Sequence, residues 1–207
     1  MFLSDELIIN GYKKGIFPMA ESSDDPYVFW VNPEKRGVIF VDDFIVSKSL
    51  RKFIKKNILQ VKTNYNFKEV IVNCSKKRSK RTQTWINKQI IESYTELYNK
   101  GFAKSVECYQ TDKLVGGLYG VQIGGIFFGE SMFSFVENAS KVALAYLAAY
   151  LKEGGFMFID TQFLTEHLKQ FGAKEISRSN YHKILKDHID CKKNFPLKLK
   201  KKVYEYF

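Results

Sequence analysis

The 207-residue chain has no apolar run near the ~18 residues that a membrane-spanning helix needs, so no membrane span is expected. No secretory leader is expected either. The opening "MFLSDELIINGYKKG" carries acids where a basic region would belong, and its apolar run is too short. Cysteine is scarce: Cys74, Cys108 and Cys191 lie far apart and form no CxxC pair. That speaks against a disulfide framework or a structural zinc site and fits a reducing compartment. The three histidines, His167, His182 and His188, have no Cys or Asp around them in a triad pattern, so no metal and no nucleophilic triad is expected. No internal repeat or low-complexity linker is visible. These absences predict a cytoplasmic, globular protein without membrane contact.

Acidic residues are also in short supply. There are 33 Lys and Arg against 22 Asp and Glu, a formal net charge of +11. Such a surplus attracts polyanions, because each neutralised phosphate releases condensed counterions. The cations cluster at "RKFIKK" (51–56), "KKRSKR" (76–81) and "KLKKK" (198–202).

What is present is a globular pattern, with 45% hydrophobic and 15% aromatic residues. Residues 4–14 predict a helix capped by Ser4. A loop, a short strand, a turn at Asn32-Pro33 and a second strand follow. "VSKSLRKFIKKN" predicts an amphipathic helix with a basic outer face. A strand near 58–63 and a helix near 66–74 come next, with a soft domain boundary near residue 62. Beyond it, 86–101 predicts a helix, and 103–110, 113–121 and 124–130 predict three strands with turns at Thr111-Asp112 and Ile123-Gly124. Asn138–Glu153 predicts a helix capped by Asn138. A buried strand (156–162) and two more helices complete the chain. The expected fold class is α+β: a small N-terminal domain (1–62) and an acyltransferase domain of the GNAT type (63–207) with a mixed sheet.

In such a sheet, the two strands joined by the crossover helix splay and open a cleft. Glu130 is expected to end one of them and Asp160 the other, both facing that crevice. In "IDTQ", Asp160 and Gln162 share one face of an extended chain. Phe127, Phe128, Phe133 and Phe163 are expected to wall the site. The loop "SMFSFVENASK" lacks the glycines that would cradle a coenzyme A pyrophosphate, so no cofactor is expected.

The segments "GYKKGIFPM", "FWVNPEKRGVIF", "TWI", "LVGGLYGVQIGGIFFGESMFSFVENASK" and "IDTQFLTEHL", in this order, resemble the leucyl/phenylalanyl-tRNA–protein transferases. The resemblance spans nearly the whole chain. It implies transfer of leucine or phenylalanine, with methionine as a further donor, from charged tRNA to protein N-termini beginning with Arg or Lys. The product is marked for degradation under the N-end rule. The partners are charged tRNA and the acceptor protein, and a monomer is expected.

By the same resemblance Asp160 and Gln162 are the catalytic pair, with Glu130 and Thr165 on the acceptor side. Leu118, Phe127 and Ile159 wall the donor side-chain pocket, and Trp30 and Trp85 stack on the terminal adenosine or the donor ring. Arg51, Lys52, Lys55, Lys76, Lys77, Arg78, Lys80 and Arg81 contact tRNA phosphates. Three departures bear on acceptor choice: a short segment ahead of "GYKKGIFP", Met19 where tryptophan is common, and Thr165 where asparagine is frequent. The alternatives are acidic N-terminal acceptors, another charged tRNA, an acetyl-CoA enzyme of the same fold, or a non-catalytic RNA-binding protein.

Overall fold

Strand pairing in the computed structural model, which describes residues 3–77, 82–196 and 198–207, builds one large sheet and one small ribbon. The chain opens with α1 (Asp5–Lys13), where Ser4 Oγ accepts from Leu7 N at 3.3 Å. β1 (Phe17–Met19) and β2 (Phe29–Val31) form the ribbon, with Met19 opposite Phe29. Then come β3 (Lys35–Phe40), α2 (Lys48–Lys55), β4 (Gln60–Thr63), α3 (Phe67–Ser75) and α4 (Lys88–Asn99). β5 (Ala103–Gln110), β6 (Lys113–Ile123) and β7 (Ile126–Ser134) form a meander, and α5 (Ala139–Glu153) crosses over to β8 (Phe158–Gln162). α6 (Glu166–Lys169), β9 (Lys174–Ser177), α7 (Arg178–His188) and a 3-10 turn (Val203–Glu205) finish the described chain.

The sheet order is β4-β5-β6-β7-β8-β3-β9. Every pair is antiparallel except β7 with β8, the pair joined by the α5 crossover. The fold is therefore α+β with a small N-terminal part and a mixed seven-stranded sheet, consistent with an acyltransferase-like domain. β3, from the first 62 residues, sits inside this sheet between β8 and β9.

Both faces of the sheet are covered, which explains the nearly continuous apolar runs of its central strands. On β7 the side-chain period of two sends Phe128 to the core beneath α1, α3 and α4, and Phe127 to the core beneath α2 and α5. α5, "ASKVALAYLAAYLKE", is apolar nearly all round because it packs between the sheet and α2. No described helix is long and apolar enough to cross a membrane.

Four local features differ from expectation. β9 and β1 are short strands that the pattern did not reveal. β7 runs on to Ser134, so Glu130 lies within the strand; what ends near it is the pairing with β8. Asn138 occupies the N-cap position of α5 in a left-handed conformation (φ 63°) and makes no side-chain cap. Ser134 Oγ instead accepts from Ser140 N at 3.1 Å, tying the helix start to the end of β7.

Gly120 of β6 shows how tight the central ladder is. An added Cβ would lie 2.2 Å from the carbonyl oxygen of Phe128 and 2.5 Å from the Phe127 ring. Gly120→Ala is expected to lower stability by about 1–3 kcal/mol through this overpacking. An unchanged urea midpoint would refute it.

Candidate active site

β7 and β8 pair only from Ile126↔Phe158 to Phe128↔Asp160. Past that point β7 stays with β6, while β8 bends away because Gln162 adopts a left-handed conformation (φ 58°). The strands part, and a cleft of about 320 Å³ opens between Gly129–Met132 on one side and Thr161–Phe163 on the other. Its base is apolar, made by Leu118, Leu144, Leu147 and Ile159. The ribbon contributes Phe17 and Met19 to the wall, and Trp85 adds an aromatic surface.

Asp160, fully buried, does not line this cleft. Its Oδ1 accepts from Arg36 Nε at 2.8 Å and from Gln162 N at 2.9 Å. Its Oδ2 accepts from Arg36 Nη2 at 2.7 Å and Tyr181 OH at 2.6 Å. Four donors fill the roughly four lone-pair sites of a carboxylate. Arg36, 1% exposed, sends its remaining arm to the carbonyl of Gly15 at 3.0 Å. The guanidinium carbon lies 4.5 Å from the ring centres of both Phe17 and Tyr181. Burial alone would lower the Arg36 pKa, but the adjacent Asp160 charge and its hydrogen bonds outweigh it and hold the pKa above its ordinary value. The expectation that Asp160 and Gln162 share an extended face fails because Gln162 is not extended. Asp160 instead turns inward and fixes the Gln162 backbone through its N–H.

That turn needs room. An added Cβ on Gly37 would lie 2.7 Å from the Phe163 carbonyl carbon and 2.8 Å from Leu164 N, so the segment after β8 rests directly on β3.

Gln162 reaches across the opening, and its Nε2 donates to Glu130 Oε1 at 3.0 Å. Glu130 Oε1 also accepts from Tyr12 OH at 2.5 Å, and Tyr12 OH meets Tyr94 OH at 2.5 Å. Tyr12 gives its one proton to Glu130, so the Tyr94 hydroxyl donates to Tyr12. Tyr12 is held in place by Phe128, with ring centres 4.4 Å apart. Burial pushes the Glu130 carboxyl up to about 7; the Tyr12 hydrogen bond opposes this, and the nearby Asp160 charge adds to it. Tyr12 and Tyr94 are held well above their ordinary pKa, first by burial and then by Glu130.

The cleft thus gathers Glu130, Gln162, Thr165, Leu118, Ile159 and Trp85 from the residues singled out in the sequence. Thr165 Oγ1 also accepts from Leu168 N, capping α6. Phe127 does not join the cleft, since strand alternation buries it under α5. Trp30 does not either. It is on the opposite face of the ribbon from Met19, against α1, where a Cβ on Gly11 would lie 2.1 Å from its ring. Of the four expected wall phenylalanines only Phe163 lines the cleft; Phe128 and Phe133 are in the core. His167 does reach the cleft edge, where burial and then Lys141 lower its pKa.

Among the basic residues, Arg51 donates to the Tyr204 carbonyl at 3.0 Å and to that of Phe207. Lys52 is exposed, and Lys55 Nζ sits 4.9 Å from the Tyr204 ring centre. Lys76 donates to Asn73 Oδ1 at 2.8 Å, and Lys77 pairs with Asp24 at 3.1 Å. Arg78, Lys80 and Arg81 lie outside the described residues. Sequence reading missed Arg36, Tyr12, Tyr94 and Tyr181. The one available signal was Arg36, a charge heading the apolar run "VIFV".

Two predictions follow from these networks. Arg36→Ala leaves Asp160 buried and unpaired and is expected to cost about 3–5 kcal/mol of stability. Tyr181→Phe removes one charged hydrogen bond and should cost about 1.5–3 kcal/mol. Urea titration checks both, and equal, small effects would contradict the network.

The Glu130 pKa is raised from 4.5 to about 7, so the folded chain holds a proton that the unfolded chain releases across that window. Its contribution to stability is present below the lower value and is lost as pH rises through the upper one. Glu130→Gln should therefore lose less stability than the parent between about pH 5 and pH 8. Parallel stability–pH curves would argue against it.

Comparison with known proteins shows the family. The family model described as leucyl/phenylalanyl-tRNA protein transferase matches residues 38–186, and that of the N-terminal domain of the same proteins matches residues 2–34. A leucyl/phenylalanyl-tRNA–protein transferase of Maricaulis maris is 47% identical over 190 residues, covering 92% of this chain and 88% of the relative. Those of Rhodospirillum rubrum and Rhodopseudomonas palustris are 49% and 50% identical, covering 87% and 88% of this chain and 84% and 80% of their own lengths. The chain belongs to the leucyl/phenylalanyl-tRNA protein transferase family.

Proposed function

We propose that this chain is an aminoacyltransferase that moves leucine or phenylalanine, with methionine as a further donor, from charged tRNA to protein N-termini. The acceptors begin with Arg or Lys, and the product is marked for N-end rule degradation. The observation that carries the mechanism is the pose of Gln162. Its Nε2 is held by Glu130 and its backbone N–H by Asp160. With the amide nitrogen so engaged, the side-chain oxygen is the group left to accept a hydrogen bond from an incoming amine.

The reaction joins the acceptor α-nitrogen to the ester carbonyl of the donor. The α-ammonium first loses one proton to solvent, and the neutral amine attacks. As the ester C–O bond breaks, the nitrogen gives up a second proton while the leaving ribose oxygen takes one up. An ester converts to an amide downhill, so no nucleotide hydrolysis is needed. An α-amine with a pKa of about 7.7–8.0 is already about a tenth neutral near pH 7. Orientation therefore matters more than a strong base. Gln162 is the catalytic residue that positions the amine, and Asp160, through Arg36 and Tyr181, is a positioning residue for Gln162.

Glu130 ionises near neutrality and then offers its carboxylate to the cationic acceptor in a partly dry cleft, where charged hydrogen bonds are strong. Leu118 and Ile159, with Leu144 and Leu147, receive the donor side chain. Trp85 offers a stacking surface to the terminal adenosine, worth about 1–3 kcal/mol. Thr165 lies on the acceptor side. Phe127 and Trp30 pack behind these walls. Lys52 and Lys55, with the segment 76–81, meet the tRNA backbone. A charged-tRNA donor places the reaction in the cytoplasm, with the chain acting as a monomer.

The test is transfer of labelled leucine from leucyl-tRNA to short peptides beginning with Lys, Arg, Asp or Glu. Labelling of the Lys and Arg peptides is expected, with Gln162→Ala lowering kcat/KM by about 10²-fold, the scale of one lost positioning hydrogen bond. Glu130→Gln should abolish the preference for basic over acidic N-termini. Labelling of acidic peptides alone would overturn the role of Glu130. No labelling at all, with tRNA still bound, would overturn the transferase reading in favour of a binding protein.

A further inference from the structure

Two lysine-rich runs far apart in the chain, α2 and residues 198–202, meet on one surface. Arg51 of α2 donates to the carbonyls of Tyr204 and Phe207, fastening the C-terminal segment beneath the helix. Lys55 Nζ and Lys202 Nζ then share one ring, at 4.9 Å and 6.0 Å from the centre of Tyr204. Lys201 Nζ lies 4.6 Å from the centre of the Tyr206 ring. Lys48, Lys52, Lys56, Lys198, Lys201 and Lys202 are all exposed.

Little on this surface neutralises them. α2 contains no acid. Glu153 is engaged by Lys200 at 2.6 Å and by Tyr206 OH at 2.6 Å. Glu205, exposed, is the one acid between residues 198 and 207. Ring faces attract the ammonium groups, but they do not cancel the repulsion between like charges gathered this closely. A surface of this kind is completed by a polyanion.

Its place in the fold says which one. Phe53 and Ile54 of α2 approach Val142 and Tyr146 on one side of α5. Leu144 and Leu147, on another side of the same helix, line the cleft. About one helix diameter, ~10 Å, therefore separates the basic surface from the cleft wall. We propose that Lys198, Lys201 and Lys202 join α2 in one phosphate-binding face for the acceptor arm of the donor tRNA whose aminoacyl end enters the cleft. This rests on the charged-tRNA reading above. Contacts of that sort hold the backbone without reading bases, so they act on affinity and not on the chemical step.

The experiment compares the whole chain with a Lys198→Gln/Lys201→Gln/Lys202→Gln variant, leaving Lys200 on Glu153. Binding of deacylated tRNA is measured across a salt series. Transfer is measured from leucyl-tRNA and from leucyl-adenosine, a donor without an acceptor arm. The variant should show a log–log salt slope shallower by about two to three, following the phosphates no longer neutralised. Its KM for leucyl-tRNA should rise several-fold with kcat unchanged, and transfer from leucyl-adenosine should match the parent. The corresponding triple Lys→Arg variant should retain the parent slope. An unchanged slope and KM would overturn the proposal, as would an equal loss with both donors, which would mark a defect in the cleft or fold. If the parent transfers from neither donor, the reaction reading fails, while the salt slope still decides the surface.

Discussion

A buried ion pair organises this structure. Arg36 and Asp160 meet through two hydrogen bonds with almost no exposure to solvent, and each also holds other parts of the chain. Arg36 reaches Gly15 at the end of α1 and lies between the rings of Phe17 and Tyr181, while Asp160 reaches Tyr181 of α7 and the backbone of Gln162. The N-terminal helix, the ribbon, two sheet strands and the last helix therefore converge on one charge pair. Desolvation makes such a pair nearly neutral for net stability when compared with an apolar replacement. Its value here is geometric: few apolar arrangements could hold a non-glycine residue at φ 58° beside a cleft.

The pair also separates two carboxylates that the sequence presents as equivalents. Asp160 sits among four donors, so its charge is compensated and its acceptor sites are full. Glu130 has phenol and amide donors on one oxygen, and desolvation brings its ionisation to about 7. Environment, not residue type, assigns one acid to architecture and leaves the other responsive at neutral pH. Tyr12 couples the two assignments, because the same short helix that ends at the Arg36 contact delivers the hydroxyl to Glu130.

The strands of the meander, the crossover helix and the cleft between β7 and β8 were legible from apolar periodicity and turn residues, because those signals are local. Residues whose roles depend on tertiary partners were not. Arg36 looks like an ordinary charge at a strand start until Asp160 is folded onto it. Phe127 and Phe128 are alike in sequence, yet strand alternation sends them to opposite cores. "KEIS" is too short and too polar to declare β9, which forms because β3 offers it an edge. Trp30 and Trp85 were read together, but the ribbon turns the first toward α1 and leaves the second at the cleft. Asp160 and Gln162 were separated by one backbone dihedral that no two-residue period can reveal.

The burial of Asp160 away from the cleft has a chemical consequence under the proposed reaction. An aminoacyl ester can be attacked by the acceptor amine or by water. The amine is nucleophilic as soon as it loses a proton, which it does readily near neutral pH, whereas water becomes a competent nucleophile only with a base to assist it. An unpaired Asp160 carboxylate beside the ester would therefore add a further base able to assist hydrolysis. With Asp160 saturated by Arg36, Tyr181 and Gln162, and with leucine and isoleucine side chains at the base of the cleft, the site favours orientation of the amine over activation of water. The same ion pair that fixes Gln162 thus also withholds Asp160 from the side reaction.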